Sequence, residues 1–387
     1  MKVLLTISTL ICLSLSSSTW AQTAPYIDGT VPHNGYGSNV RIMPLAPQNT
    51  MQPRGYYYDN TPKQPSAPRL NGNYSGGYLD YIRSQDKLRC GTNTQLKSFA
   101  RLEDGVWQGI DADICKAIAI AILGSSEKIE MVNIDAENVE KALINGTIDV
   151  MLSGIPFKAT EEINGKIESA GIIYYDQQLL MVADEDKEPE YYRGKKICLA
   201  SGSDYYRNFE EYNMRHNLDV SYLTFNDMSR VREAFLLKRC QMVTAGALFL
   251  GGMKQSMLKS SVKIYSDQIA ISPVYALVRS HNKELRMAIK WILNALFLAE
   301  QYGINAQNLN FFAAHNNPEI RNLMGDDPKL WQRLGLRSFW VNDAIQLLGN
   351  YGDIYDRNIG VDSDYKIERR QGKLVKDGGI ISPLPFM

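Results

Sequence analysis

Ser153-Gly154-Ile155-Pro156-Phe157-Lys158-Ala159-Thr160-Glu161 closes a longer frame that decides how this chain is read. Upstream, Val139 to Met151 runs as an apolar helix end, a turn at Gly146 and a strand through Asp149-Val150. Downstream stands Tyr174-Tyr175-Asp176, followed by an extended apolar run from Gln178 to Asp184. Helix, glycine turn and strand in this order are the parts of an α/β domain.

Working outward, order begins near Tyr78. Tyr78-Leu79-Asp80-Tyr81-Ile82 suits a short helix, and Lys87-Leu88-Arg89-Cys90-Gly91 a buried first strand. After Gly105 to Gly109, Asp111 is placed to cap a helix whose Ile114, Ala117, Ile118 and Ala121 form one apolar face. Asp111 and Asp113 are therefore read as a cap and a surface charge rather than as a catalytic or metal-binding pair. Lys141 to Val150 is echoed by Ala234 to Val243, an apolar helix end, a turn and a strand again. The repeat suggests two lobes of related βαβ construction. Gln178 to Asp184 and Val274 to Arg279 are the two extended runs available to cross between them. Two crossings make a hinge, and a cleft between lobes is a default ligand site.

The ends of the chain read differently. Residues 1–21 have the pattern of a secretory signal peptide: Lys2, an apolar run from Val3 to Leu15, and Thr19-Trp20-Ala21 for cleavage. That run is too short to span a bilayer, and Cys12 should leave with it. Residues 22–77 are rich in Pro, Asn, Gly, Ser and Tyr with no apolar period, the composition of a disordered linker. Its Tyr56-Tyr57-Tyr58 could touch a partner, but a plain tether is the favoured reading. Basic and acidic residues number 42 each with no basic stripe, which argues against nucleic acid as a partner.

The frame Leu143-x-x-Gly146-x-x-Asp149-Val150-x-x-Ser153-Gly154, with Tyr174-Tyr175 beyond it, resembles the periplasmic amino-acid-binding proteins of ABC transporters. Asn317-Pro318-Glu319-Ile320-Arg321-Asn322-Leu323-Met324-Gly325 and the stretch Gly349 to Gly360 resemble the tail of the general L-amino-acid-binding subfamily. The resemblance runs from about Tyr78 to the C-terminus. It implies an α/β, two-lobed periplasmic-binding-protein (venus-flytrap) fold with a C-terminal helical extension. Lobe 1 would comprise 78–181 plus 279–387 and lobe 2 would comprise 182–278, with the tail beyond Asn317 wrapped on the body. The subfamily also carries cysteines matching Cys90, Cys115, Cys198 and Cys240. Of three possible pairings, Cys90–Cys115 and Cys198–Cys240 keep each bridge within one lobe, and each would contribute roughly 2–4 kcal/mol. Four buried free thiols are the alternative.

The ligand residues implied by the resemblance carry over unevenly. Phe99 stands at an aromatic wall of the site, and Ser153 and Gly154 at the strand end whose backbone meets an α-amino group. Glu161 stands where the family's carboxylate-binding Arg is expected, and Pro156 where a hydroxyl is expected. Gly202-Ser203-Asp204 occupies a Gly-Thr-Thr turn, and Gly246 the place of the Asp that binds the α-ammonium. A charge-assisted hydrogen bond is worth roughly 1.5–3 kcal/mol. Two carboxylates at about 4 Å repel by up to ~4 kcal/mol at intermediate dielectric. Together these cost more than about a thousandfold in affinity, so an amino acid held in the family's pose is not expected.

The resulting expectation is a periplasmic solute-binding component of an amino-acid-type ABC transporter with an altered cleft. Its solute would be small and polar, cationic or uncharged, with Glu161 and Asp204 as counter-charges and Phe99 stacking. Its partner would be an inner-membrane ABC permease. The alternative is a non-transport periplasmic scaffold or module that binds another envelope protein. Catalysis is not expected, although some relatives of this fold are dehydratases that use a cleft carboxylate as general acid, a part Glu161 could fill. His33, His216, His281 and His315 lack metal-ligand spacing, and Ala200-Ser201-Gly202-Ser203 is not a nucleophile elbow. No cofactor or metal is called for.

Overall fold

The computed structural model describes residues 77–94, 97–152, 163–184, 187–257, 262–312 and 315–386. The expected signal peptide, the linker up to residue 76, and Ser153, Gly154, Pro156 and Glu161 lie outside the described residues.

The first half opens with α1 (Tyr78–Gln85), β1 (Leu88–Thr92) and a hairpin of β2 (Arg101–Glu103) and β3 (Val106–Gln108). It continues through α2 (Ile110–Leu123), β4 (Ile129–Asn133), α3 (Val139–Ile144) and β5 (Val150–Met151). The long strand β6 (Ile167–Val182) then leads into β7 (Lys196–Ala200), α4 (Asp204–His216) and β8 (Ser221–Phe225). Next come α5 (Met228–Leu236), β9 (Met242–Gly246), α6 (Ala247–Ser256) and β10 (Lys263–Ile264). The strand β11 (Ala270–Arg279) returns to the first half and feeds α7 (Lys283–Gln301). Four helices follow: α8 (Pro318–Leu323), α9 (Pro328–Arg333), α10 (Trp340–Leu348) and α11 (Tyr351–Asn358).

The strand order is β4-β1-β5-β11-β6-β9-β7-β8, with β10 on β6. β4-β1-β5 and β9-β7-β8 are parallel trios, as helix crossovers dictate. β6 and β11 are antiparallel to each other and join the trios. Along β6, residues 167–177 have β11 alone as sheet neighbour, Gln178 pairs with both β11 and β9, and Leu179 to Val182 pair with β9, the last two also with β10. The β6–β11 register shifts at Val274/Tyr275 and Ala276/Leu277, where the ribbon bends. The two strands β6 and β11 thus carry the chain between the halves.

Local sequence explains the elements that matter for the site. α2 reads Ile-Asp-Ala-Asp-Ile-Cys-Lys-Ala-Ile-Ala-Ile-Ala-Ile-Leu, and twelve of its fourteen residues are buried. A helix apolar on every face must be covered on every face, and α1, α7, α10 and α11 join the sheet in covering it. Asp111 does not cap α2, a correction to the sequence reading. The N-cap is Gly109, at φ +119°, and a Cβ there would meet the Phe99 carbonyl carbon at 2.6 Å. Asp111 is instead buried and accepts a 2.7 Å hydrogen bond from Thr92 Oγ1. Asp113 is buried as well, paired with Arg357 at 2.7 Å and Lys116 at 3.3 Å.

That Asp113 pair also fixes the C-terminal extension, since Arg357 and the Asn358 amide (2.8 Å) come from α11. Trp331 and Trp340 meet edge to face, and Phe386 stacks on Trp331. Arg369 lies between the rings of Tyr351 and Tyr355 and pairs with Glu300 at 2.5 Å. The tail wraps on the body as expected. Disulfides join Cys90 to Cys115 and Cys198 to Cys240, the pairing that keeps each bridge in one half.

Candidate functional site

Where β6 and β11 cross between the halves lies a cavity of about 1290 Å³. Asn93, Lys97 and Glu137 line it from the first half, and Ser203, Asp204 and Phe249 from the second. Asp176, at the crossing itself, forms part of its wall.

Asp176 follows the Tyr174-Tyr175 pair and is two residues before Gln178, which is paired in register with Gly246. Gly246 ends β9 and is the N-cap of α6, with no side chain to satisfy the first turn. A Cβ built on Gly246 would stand 2.6 Å from Oδ1 and 2.8 Å from Cγ of Asp176. The Asp176 carboxylate therefore fills the volume that a Gly246 side chain would take. It accepts from the Ala247 N–H at the start of α6, from its neighbour's N–H at Gln177, and from the Tyr205 hydroxyl at 2.9 Å. A carboxylate at a helix N-terminus is favoured by the exposed N–H groups and the helix dipole. The cap that Gly246 cannot supply comes from the strand next to it.

Burial raises the Asp176 pKa to about 6, against the pull of Tyr205 and the two backbone donors. No cationic side chain among the described residues counts among the groups that lower it. Burial and then the Asp176 charge push the Tyr205 hydroxyl well above its ordinary pKa, which keeps it a donor. The Gln178 amide donates to the Tyr205 carbonyl (2.8 Å) and to Thr244 (3.1 Å), while Asn208 donates to Gln178 (3.0 Å). These bonds fix the Tyr205 donor beside Asp176, which is one of the residues lining the cavity.

The positions expected from sequence fall as follows. Phe99 is buried, its ring 5.9 Å from that of Tyr174, and so lies in the core behind the cavity wall. Gly202 makes a left-handed turn at φ +68°. Ser203 caps α4: its hydroxyl donates to Ala200 O (2.7 Å) and accepts from Tyr206 N–H (3.2 Å). Asp204 pairs with Arg207 at 2.6 Å and so has its own counter-charge. Ser153, Gly154 and Glu161 are outside the described residues. Sequence reading missed the role of Asp176, although it quoted the residue. The available signal was a glycine at the anchor position together with a carboxylate after Tyr-Tyr, linked only through the β6–β9 register.

Two parallel trios joined by a pair of crossing strands, with a cleft at the crossing, match a known architecture. Residues 88–307 fit the family of bacterial extracellular solute-binding proteins, family 3. The chain belongs to this family. The general L-amino acid-binding periplasmic protein of Rhizobium johnstonii is 30% identical over 308 residues, 78% of this chain and 90% of that protein. The glutamate/glutamine/aspartate/asparagine-binding protein of Rhodobacter capsulatus is 28% identical over 328 residues, 83% of this chain and 96% of that protein. Among solved structures, an ABC transporter periplasmic binding protein from Brucella ovis with glutathione bound is 29% identical, with a TM-score of 0.72. It covers 81% of this chain and is itself covered completely.

The expected class, a solute-binding component of the amino-acid ABC-transporter type, is borne out by the family and these relatives. The scaffold alternative gains no support from them. The family and the relatives are binding proteins. Among the described residues no helix is long and apolar enough to cross a membrane, and no group of His, Cys, Asp and Glu is placed to hold a metal ion.

Proposed function

We propose that this family 3 protein captures an exported or periplasmic solute through an ammonium group seated on Asp176, and hands it to an inner-membrane ABC permease. The supporting observation is the position of the Asp176 carboxylate. It occupies the space vacated at Gly246, lines the cleft, and has three donors but no cation among the described residues. A carboxylate so placed keeps the α-ammonium anchor that the sequence alone reads as lost. The carboxylate end is a different matter, because Glu161 stands at the expected Arg position. Solutes with a cationic end and no free carboxylate are therefore favoured: amines, polyamines and amino-acid amides.

Titration calorimetry of the exported chain tests this with a panel of amino acids, their amides, polyamines, glutathione and N-acetylated counterparts. Amides and amines should bind at least ten times more tightly than the free acids, the equivalent of about 1.4 kcal/mol. Counterparts acetylated on every amine, which have no ammonium, should not bind. Equal binding of acetylated and free forms contradicts the reading.

A further inference from the structure

The C-terminal segment after α11 does more than cover the first half. Ser363 Oγ donates to Gly360 O (2.8 Å) and accepts from the Tyr365 N–H (3.1 Å), which fixes a turn that projects Tyr365. Tyr365 reaches the cleft and lines the same cavity as Asp176. On one side of it stands Ser98 of the first half, whose polar groups act, with Arg101, against the burial that raises the Tyr365 pKa. On the other side is α6 of the second half. There, Gly251 and Gly252 are adjacent in the middle of the helix. A Cβ on Gly251 would stand 3.1 Å from Tyr365 Cδ1, and one on Gly252 4.0 Å from Cε1.

Two glycines inside a helix cost about 1 kcal/mol each relative to alanine. Neither has a positive φ, so no turn requires them. They make a notch that admits the ring. The flanking residues of the segment also bridge the halves. Ile367 packs against the large core of the first half and the core of the second. Gln177 on β6 donates to Glu368 O at 2.6 Å, and Arg370 bonds the Ser266 carbonyl before β11.

We propose that Tyr365 is a clasp between the two halves. Carried by the C-terminal segment, it seats in the Gly251-Gly252 notch and holds the cleft narrowed before solute arrives. The extension thereby becomes a third wall of the site, and the fraction of molecules already closed sets part of the apparent affinity. This goes beyond the choice of solute and does not depend on it.

The test is a distance measurement in the solute-free, full chain. Pulsed electron resonance would read nitroxides on Lys141→Cys, on α3, and Glu211→Cys, on α4. Tyr365→Ala, and separately Gly251→Leu, which fills the notch from the other side, should each shift the distribution to longer distances. Tyr365→Phe, which keeps the ring, should retain the parent distribution. The clasp is overturned if Tyr365→Ala and Gly251→Leu both give distributions superimposable on the parent's. A melting temperature alone does not decide it, since packing without a clasp role would also move that value.

Discussion

Asp176→Asn should make the folded protein more stable at pH 7.5 while weakening solute binding by roughly ten- to a hundredfold. The stability half follows from proton linkage. Burial raises the Asp176 pKa from 3.8 to about 6, so the folded state holds this proton more tightly than the unfolded chain does. Between about pH 4 and pH 6 the unfolded chain has released the proton and the folded protein has not. Stability therefore falls as pH rises through that window, by about 3 kcal/mol for a shift of this size, and stays lower above it. Asparagine removes the buried charge, can still accept from Tyr205, and should flatten that slope. Urea unfolding between pH 4 and 8 would show it. The binding half follows from losing a charge-assisted bond to an ammonium, worth roughly 1.5–3 kcal/mol. In the parent protein the affinity for an ammonium solute should also fall about tenfold from pH 7 to pH 5 as Asp176 takes up its proton. The asparagine variant should show no such fall. A variant that is both less stable and equally tight in binding would make Asp176 a structural cap only.

The second large effect belongs to the frame rather than to the cleft. Asp149 is 1% exposed and accepts from the Arg89 N–H (2.8 Å), Arg89 Nη2 (2.7 Å) and the Tyr78 hydroxyl (2.8 Å). Arg89 also bonds the carbonyl of Gly146. One carboxylate thus ties α1, β1 and the α3–β5 turn together. Its charge and hydrogen bond help raise the Tyr78 pKa, though burial contributes more. Asp149→Ala leaves the partly buried Arg89 uncompensated and should cost about 3–5 kcal/mol, as breaking one side of such a pair does. The check is urea unfolding followed by tryptophan fluorescence. A loss under about 1 kcal/mol would mean that the pair contributes no more than an exposed one.

These two residues show what the sequence makes legible. Gly146-x-x-Asp149 is a local signature because the turn and the carboxylate lie three residues apart, and its structural reason is the Arg89–Tyr78 network. The echo between halves was legible in the order of its elements and the cysteine pairing in keeping each bridge within one half, whereas the tail was legible only through its resemblance to the subfamily. Asp111 reads as a cap because a carboxylate suits a helix start, yet the N-cap lies two residues earlier at Gly109, where the Phe99 carbonyl leaves no room for a Cβ. Asp176 and Tyr365 were not legible. Asp176 takes on meaning only when β6 pairs with the distant β9, which sets Gly246 beside Gln178. Tyr365 does so only when the tail reaches α6. The paired glycines at 251 and 252, in the middle of α6 and following the apolar run Ala247 to Leu250, were the local sign that something must approach there.

The central claim is that the ammonium anchor has moved from the end of β9 to β6 rather than disappeared. Calorimetry on the charge-relocation variant Asp176→Gly/Gly246→Asp, beside its two single variants, tests it most directly. Gly246→Asp alone places a Cβ against the Asp176 carboxylate and sets two negative charges side by side, so it should lose stability and binding. Asp176→Gly alone should lose binding. The double variant removes the overlap, and the Gly246 backbone (φ −59°, ψ 145°) accepts a side chain. Recovery of affinity for the favoured amine solute to within about threefold of the parent is the predicted result, a strong positive coupling between the two positions. A double variant no better than Asp176→Gly alone would contradict the account.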